Sequence, residues 1–152
     1  MADEFLSMTL RAIGIVRNGV REAPDKDDWW AELVSELVID KNLTKALDGV
    51  RGFSHIIVLY WMHRLVTAEV PLKIHPRGNK GLPLVGLFAT RTPNRPNPIG
   101  LTKVRLLERQ GNILKVKGLD ALDGSPVIDI KPYLPGYDSV DNIKVPPWIT
   151  KR

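Results

Sequence analysis

Residues 88–101 (FATRTPNRPNPIGL) concentrate the side chains that could bind a ligand. This segment holds the guanidinium groups of Arg91 and Arg95, the amides of Asn94 and Asn97, and three prolines. Proline fixes φ and removes a backbone donor, so we expect a stiff loop. A stiff loop is ordered on folding rather than on binding, which favours recognition of a charged or planar ligand by its arginines.

A second group of polar residues lies near the carboxyl end of the chain. The pair Asp123-Gly124 is typical of a turn. Asp129 lies between two isoleucines, so on a strand its carboxylate shares a face with Lys131. That spacing fits a structural ion pair, and it equally fits a carboxylate tuned to accept a proton; the sequence leaves both open.

The histidines and the absence of cysteine limit the chemistry further. A disulfide, a thiolate nucleophile and a Cys-ligated metal are excluded, because the chain has no cysteine. The chain has three histidines, His55, His63 and His75. They are too far apart in the sequence for a local metal motif, so no metal is predicted. His63, beside Arg64 at the end of an apolar segment, is the histidine best placed to meet a ligand. Arg77 belongs to a short loop, RGN, that suits a phosphate or carboxylate.

Length and charge limit the class of protein. A chain of 152 residues fits one domain with a core of its own. The net charge of +5 is compatible with a polyanionic partner such as nucleic acid. The longest apolar run, residues 56–62, is far shorter than a membrane helix, and acidic residues stand where a signal peptide carries basic ones. We therefore expect a cytoplasmic protein with no membrane partner.

Short apolar segments separated by turn residues must position these groups. They predict about seven strands, near residues 10–16, 33–39, 53–62, 82–89, 101–107, 113–119 and 127–130. One short helix is predicted over 42–47, capped by Asn42 and ended by Gly49. Residues 53–62 are apolar on both faces, which indicates the centre of the core. With no strand–helix alternation and no GxGxxG motif, the pattern favours an all-β antiparallel barrel or sandwich.

Four motifs give the sequence a likeness to a known family. They are FSHI (53–56), HPRGN (75–79), GLFATRTPNRPNPIGLTKV (86–104) and LDALDGSPVIDIKPYLP (119–135). In these motifs the chain resembles the TrmO family of tRNA adenosine-37 N6-methyltransferases, over about residues 10–137. Thr92 and Thr102 stand where serine is expected and keep its hydroxyl group.

The resemblance implies a fold and an activity. It implies a closed antiparallel β-barrel at residues 1–137 that binds S-adenosylmethionine, with a C-terminal extension at 138–152. It also implies a homodimer that methylates N6 of threonylcarbamoyladenosine at position 37, in the anticodon loop of tRNA.

The resemblance also implies roles for individual residues. The cofactor-binding residues would be Trp29, Trp30, His63, Arg64, Arg91, Leu101, Lys117, Gly118, Leu119 and Asp120. Arg91 suits the carboxylate of the cofactor, while an aromatic ring or Asp120 could stabilise its sulfonium cation. The catalytic candidates come from their own chemistry, since a proton acceptor is needed: Asp129 as base, Lys131 as orienting cation and Tyr133 as hydrogen-bond partner. The substrate-binding candidates are Arg95, Asn97 and Arg77.

Two alternatives stay open. Longer bacterial members of the family carry a second domain thought to aid tRNA binding, so a small-molecule acceptor is compatible with this shorter chain. A non-catalytic RNA-binding barrel is also compatible, but it is disfavoured because the few aromatic residues lie mostly in the predicted buried strand or at Trp29 and Trp30.

Overall fold

The computed structural model describes residues 5–65 and 69–149. In that part of the chain lie eight strands: β1 (Gly14–Arg17), β2 (Val34–Ile39), β3 (His55–Trp61), β4 (Lys73–Ile74), β5 (Val85–Gly86), β6 (Ile99–Gln110), β7 (Ile113–Lys117) and β8 (Pro126–Pro132). The helices are short. Five are 3₁₀ helices (Lys41–Leu47, Val50–Gly52, His63–Leu65, Pro76–Gly78 and Leu87–Ala89), and one is a single α-helical turn, α1 (Pro135–Asp138).

Six of the strands close into an antiparallel barrel. The order around the barrel is β1-β2-β7-β6-β3-β8, and β8 pairs with β1 to complete the ring. The remaining strands, β4 and β5, form a separate two-stranded sheet. The closed antiparallel barrel is therefore confirmed, with six strands in its wall where about seven were predicted.

Alternation along the strands builds the core. In β3 every second residue is buried, and Ile56 and Val58 are fully enclosed. Leu37 of β2, Leu114 of β7 and Val104 of β6 point to the same interior. The apolar character of the outward residues of β3 predicted that they would be buried. They are half-buried instead, because they lie on the outer surface of the barrel wall.

The structure corrects the boundaries of several predicted elements. The predicted strand at 82–89 is reduced to β5 (Val85–Gly86), which lies outside the barrel and is followed by the 3₁₀ helix Leu87–Ala89. The first strand begins at Gly14, not at residue 10. A Cβ at Gly14 would come within 2.5 Å of the Val38 carbonyl oxygen, so only glycine allows β1 to approach β2 here. The predicted helix is the 3₁₀ helix Lys41–Leu47, and its cap is Asp40 rather than Asn42, because Asp40 accepts a hydrogen bond from the Asn42 N–H.

A turn after β1 fastens one end of the barrel. The carboxylate of Asp123 accepts hydrogen bonds from the backbone N–H groups of Asn18 at 2.7 Å and Gly19 at 2.9 Å. The Asn18 side chain donates to the Ser35 hydroxyl and to the Ala121 carbonyl, both at 3.0 Å. The two backbone hydrogen bonds, chiefly that from Gly19, lower the pKa of the Asp123 carboxyl below its ordinary value of 3.8.

We expect the Asp123→Ala variant to unfold more easily at neutral pH, by about 1–2 kcal/mol, because two backbone donors lose a charged acceptor. Because the pKa of Asp123 in the folded protein lies below 3.8, its ionised carboxylate stabilises the folded state at every pH above 3.8. This stabilisation is lost as the pH falls through the lowered pKa of the folded protein. Urea unfolding of both proteins between pH 2 and pH 7 measures the difference, which should shrink at the acid end. A difference that stays constant with pH would contradict this assignment.

Candidate functional site

The site lies where one barrel strand has an open edge. β7 pairs with β6 from Arg105 to Gln110, so in the described chain the half of β6 at residues 99–104 has no ladder partner on that side. A cleft of about 760 Å³ opens along this edge. It is lined by Trp30, Ile57, Tyr60, Met62, Thr90, Arg91, Arg95, Ile99, Gly100, Leu101, Thr102, Lys103, Asp120, Tyr133 and Asp138.

The backbone of β6 presents polar groups to this cleft. The Leu106 N–H donates to the Ser54 carbonyl at 2.8 Å, which is the direction of β3. Main-chain groups alternate in direction along an antiparallel strand. The N–H and C=O groups of Leu101 and Lys103 therefore point away from β3, toward the open edge, where they can pair with a planar ligand.

A hydrogen-bonded cluster fixes the carboxylate of Asp120 in the cleft. Its Oδ1 accepts the Tyr60 hydroxyl at 2.7 Å and the Thr102 hydroxyl at 2.5 Å. Its Oδ2 receives no hydrogen bond from the described residues. One oxygen thus holds the group in place while the other is left for a cation or a donor.

Tyr60 is the buried anchor of this cluster. The residue is 2% exposed, and burial is the main cause that raises the pKa of its phenol above the ordinary value of 10, with the Asp120 carboxylate adding to the effect. The phenol therefore stays protonated at neutral pH and acts as a donor, not as a base. Gly100 faces Tyr60 across the β3–β6 ladder, and a Cβ at Gly100 would come within 2.4 Å of the ring, so the ring needs glycine there.

The proline-rich loop carries two arginines with different surroundings. The Met62 N–H donates to the Pro98 carbonyl at 2.6 Å, which ties this loop to the end of β3. Arg95 donates from Nη1 to the carbonyls of Thr90 at 3.0 Å and Thr92 at 3.1 Å, so its guanidinium braces the loop from within. Arg91 is exposed and makes no hydrogen bond or ion pair with the residues described, so its donors are available to a ligand.

Apolar side chains form the walls around these polar groups. Trp30 lines the cleft, and the ring of Trp29 lies edge-on to it, with centroids 5.8 Å apart. Leu101 is 51% exposed although it is large and apolar, and Ile57 and Met62 line the same cleft. The cleft thus combines apolar surface with two carboxylates, two guanidinium groups and one ammonium group, as small-molecule sites do.

The predicted segment at 117–120 reaches the cleft through its last residue. Asp120 lines the cleft, whereas the Leu119 side chain is fully buried in the core. Lys117 forms an ion pair with Glu32 at 2.6 Å. Gly118 has a φ of 97°, and its N–H donates to the Leu33 carbonyl at 3.0 Å. These contacts position Asp120 next to the loop that carries Trp30.

His63 and Arg64 follow β3 but lie outside the residues that line the cleft. They belong to the 3₁₀ helix His63–Leu65, directly after Met62, which does line it. Arg64 donates from Nη1 to the Asp123 carbonyl at 2.9 Å and so joins the barrel-end turn. His63 is exposed.

The three residues predicted to be catalytic are not all in one place. Asp129 and Lys131 form an ion pair at 3.0 Å, and Asp129 lines a different groove, with Phe53. Tyr133 lines the cleft. The structure thus brings Tyr133 together with Asp120, and the role of Asp129 as a base stays a prediction that this placement does not favour.

The predicted substrate-binding residues divide among three places. Arg95 lines the cleft, as described above. Asn97 lines a groove with Trp61 and part of the segment that precedes β1. Arg77 lines a groove with Phe88 and Trp148, and this groove shares Arg91 with the cleft.

Among the residues of the site that sequence reasoning missed are Tyr60, Gly100, Thr102, Lys103 and Asp138. Tyr60 lies in a run of apolar residues and is typical of the core. Its hydroxyl was the available signal, since a buried tyrosine hydroxyl needs a partner. Thr102 was noted for keeping a hydroxyl group, but its contact with Asp120 depends on a β6 register that the sequence does not give.

The described part of the chain also lacks two features, a metal-ligand cluster and a membrane-spanning helix. Residues 5–65 and 69–149 contain no group of three or more histidines, aspartates or glutamates arranged to hold a metal ion. They also contain no helix with the length and apolar character needed to cross a membrane.

Comparison with known proteins places the chain among relatives. It is 46% identical over 141 residues to the "Probable S-adenosyl-L-methionine-binding protein" of Methanothermobacter thermautotrophicus, covering 91% of this chain and 96% of that one. It is 38% identical over 108 residues to the human "tRNA (adenine(37)-N6)-methyltransferase", covering 71% of this chain. The solved structure of TrmO from Pseudomonas aeruginosa matches with a TM-score of 0.71 at 29% identity, over 91% of this chain.

The relatives differ in how much of their own length the chain spans. It spans 62% of the Pseudomonas structure, 24% of the human protein and 38% of a further relative, a "Probable S-adenosyl-L-methionine-binding protein" of Archaeoglobus fulgidus that is 44% identical. The family described as "tRNA-methyltransferase O N-terminal domain" matches residues 18–139. Because this match covers most of the chain and the barrel agrees with a solved member, the protein belongs to the tRNA-methyltransferase O family, as its motifs predicted.

Proposed function

We propose that the cleft binds S-adenosylmethionine and that the protein transfers the methyl group to N6 of adenosine 37 in tRNA. The observation that carries the proposal is that one apolar cleft holds a negative and a positive side chain that are both available to a ligand. Asp120 offers an unpaired carboxylate oxygen, and Arg91 offers an unpaired guanidinium within the described structure. The names of the relatives support both the cofactor and the acceptor.

The residues of the cleft fit the chemical groups of this cofactor. Its α-carboxylate suits Arg91, which can donate two parallel hydrogen bonds to it. Its cationic groups suit Asp120 and the ring of Trp30. Its adenine suits the apolar wall at Leu101, where outward N–H and C=O groups of the strand offer a donor and an acceptor.

The work left to the protein is mainly positioning. The cofactor supplies an electrophilic methyl group, and displacement at that carbon needs the accepting nitrogen in line with it. The fixed Asp120 and the braced proline-rich loop hold both sides of the cleft at constant separation. A proton must also leave the amino nitrogen. The side chains of the cleft that can accept it are the carboxylates of Asp120 and Asp138, with the Tyr133 hydroxyl as a hydrogen-bond partner.

The finer features of the proposal extend this same site. We infer threonylcarbamoyladenosine as the acceptor, a homodimer as the assembly and the cytoplasm as the place of action. The motif resemblance supports the first two, and an activity on tRNA is consistent with the third. Asn97 and Arg77, exposed near the cleft rather than in it, are proposed to contact the acceptor RNA or the second subunit.

Methyl transfer is tested with labelled cofactor and total tRNA. We expect label in tRNA from cells that make threonylcarbamoyladenosine, recovered after nuclease digestion as the N6-methylated nucleoside. Transfer RNA from cells unable to make that mark is the matched control, and it should take up at least tenfold less label. Label in neither tRNA would contradict the proposed activity, and label in a metabolite extract alone would favour a small-molecule acceptor.

The two arginines of the loop should differ in their effect on cofactor binding. We expect Arg91→Ala to weaken binding of S-adenosylmethionine by about 10–100-fold, since a charge-assisted contact is worth about 1.5–3 kcal/mol. Arg95→Ala should change it by less than about fivefold, because the Arg95 guanidinium already donates to two carbonyls of its own loop. Titration calorimetry measures both dissociation constants, and the reverse order would overturn this assignment.

A further inference from the structure

We propose that the outer surface formed by His55, Lys103, Arg105, Lys131 and Tyr133, here called the β6 face, binds the single-stranded nucleotides next to the acceptor adenosine. The inference rests on the proposed function, and it names the surface that receives the RNA. It adds a defined surface to the predicted substrate-binding residues Arg77, Arg95 and Asn97.

Strand register brings these residues together on one face. His55 pairs with Arg105, and Ile57 pairs with Lys103 on one side and with Lys131 on the other. Their neighbours along the strands, Ile56 and Val104, are buried in the core. Side chains alternate along a strand, so the five residues of the β6 face point outward together.

Aromatic rings lie among the cations of this face. The ammonium group of Lys103 lies 5.2 Å from the centroid of the Tyr133 ring. The His55 ring contacts the same ring nearly edge-on, with centroids 6.5 Å apart. Exposed cations combined with aromatic rings are what barrels use to bind single strands, because phosphates meet the cations while bases stack on the rings.

The charges of the face are only partly neutralised. Lys131 is paired with Asp129, and the lysines of the neighbouring β7 are paired with Glu108 and Glu32. In the described chain, Lys103 and Arg105 have no carboxylate partner, although both are exposed. A polyanion can therefore gain contacts here without breaking an ion pair.

The face is continuous with the cleft. Lys103 and Tyr133 belong to the face and also line the cleft at the open edge of β6. Arg105 lies two residues further along the strand, about 7 Å away. A base held in the cleft would thus place its neighbouring phosphates over Lys103 and Arg105, which favours RNA over an acidic protein as the occupant.

The test compares two double variants with the same loss of charge. The first variant, Lys103→Gln with Arg105→Gln, removes the two positive charges that β6 contributes to the β6 face. The control variant, Arg11→Gln with Arg17→Gln, removes two exposed charges in and just before β1, which lies opposite β6 in the ring of six strands. Fluorescence polarisation measures the binding of a labelled anticodon stem–loop RNA at several salt concentrations, without cofactor. Thermal unfolding verifies that each variant is folded.

We expect the β6-face variant to bind the stem–loop at least tenfold more weakly. The slope of log Kd against log salt should fall by about 1.4–1.8, because two phosphate contacts are lost and each contributes roughly 0.7–0.9 to the slope. The control should change Kd by less than twofold, and wild-type protein should prefer the stem–loop to a duplex of equal length. The single variant Arg105→Gln, altered outside the cleft, should keep wild-type cofactor affinity and lose about threefold in RNA affinity.

Equal RNA affinities of the two double variants would show that the β6 face is not the RNA-binding surface, even if the wild type methylates tRNA. An equal preference of the wild type for duplex and stem–loop would overturn its single-stranded character. Failure of the proposed function gives a different result from these two outcomes. In that case the wild-type protein binds the RNA as expected for the β6 face but transfers no methyl group to it.

Discussion

The buried hydroxyl of Tyr60 must find an acceptor, and the way it does so organises the site. Tyr60 is 2% exposed and packs in the core, so its phenol has lost most of its contact with water. Asp120 provides the acceptor, and Thr102 donates to the same carboxylate oxygen. A carboxylate that would otherwise rotate freely is thereby held at one angle, with its second oxygen left to the cleft.

Several local features of the sequence follow from this constraint. Gly100 gives the Tyr60 ring its space, and Gly118 takes up the positive φ that turns the chain toward Asp120. β7 leaves β6 after pairing with Arg105, which opens the edge that becomes the cleft. Together they leave the protein with a polar, open site on an otherwise closed barrel.

Much of the fold could be predicted from the sequence, because alternation and turn residues are local signals. Strands β2, β3, β6 and β7 lie where the apolar periodicity placed them, and Gly49 has the left-handed conformation expected of it. The pair β4 and β5 has two residues in each strand, too short for any pattern to indicate β4. The start of β1 depended on the close approach of Gly14 to β2, which is a tertiary contact.

The site was predictable in part for the same reason. Arg91, Leu101, Asp120 and Trp30 came from the motifs, and the structure brings them to one cleft. Asp129 and Lys131 were placed on one face by the same alternation, and they do form the ion pair that the spacing allowed. Which groove that pair faces depends on the barrel order, and so do the contacts of Tyr60 and Thr102. No spacing within a single strand carries that information.

The role of Asp120 in cofactor binding is tested most directly by calorimetric titration of S-adenosylmethionine into the Asp120→Asn and Asp129→Asn variants. Both changes remove one negative charge and keep the side-chain shape. We predict that Asp120→Asn weakens binding at least tenfold and that Asp129→Asn stays within twofold of the wild type. Thermal unfolding verifies that both variants are folded. Undiminished affinity in Asp120→Asn, or a larger loss in Asp129→Asn, would contradict this role of Asp120.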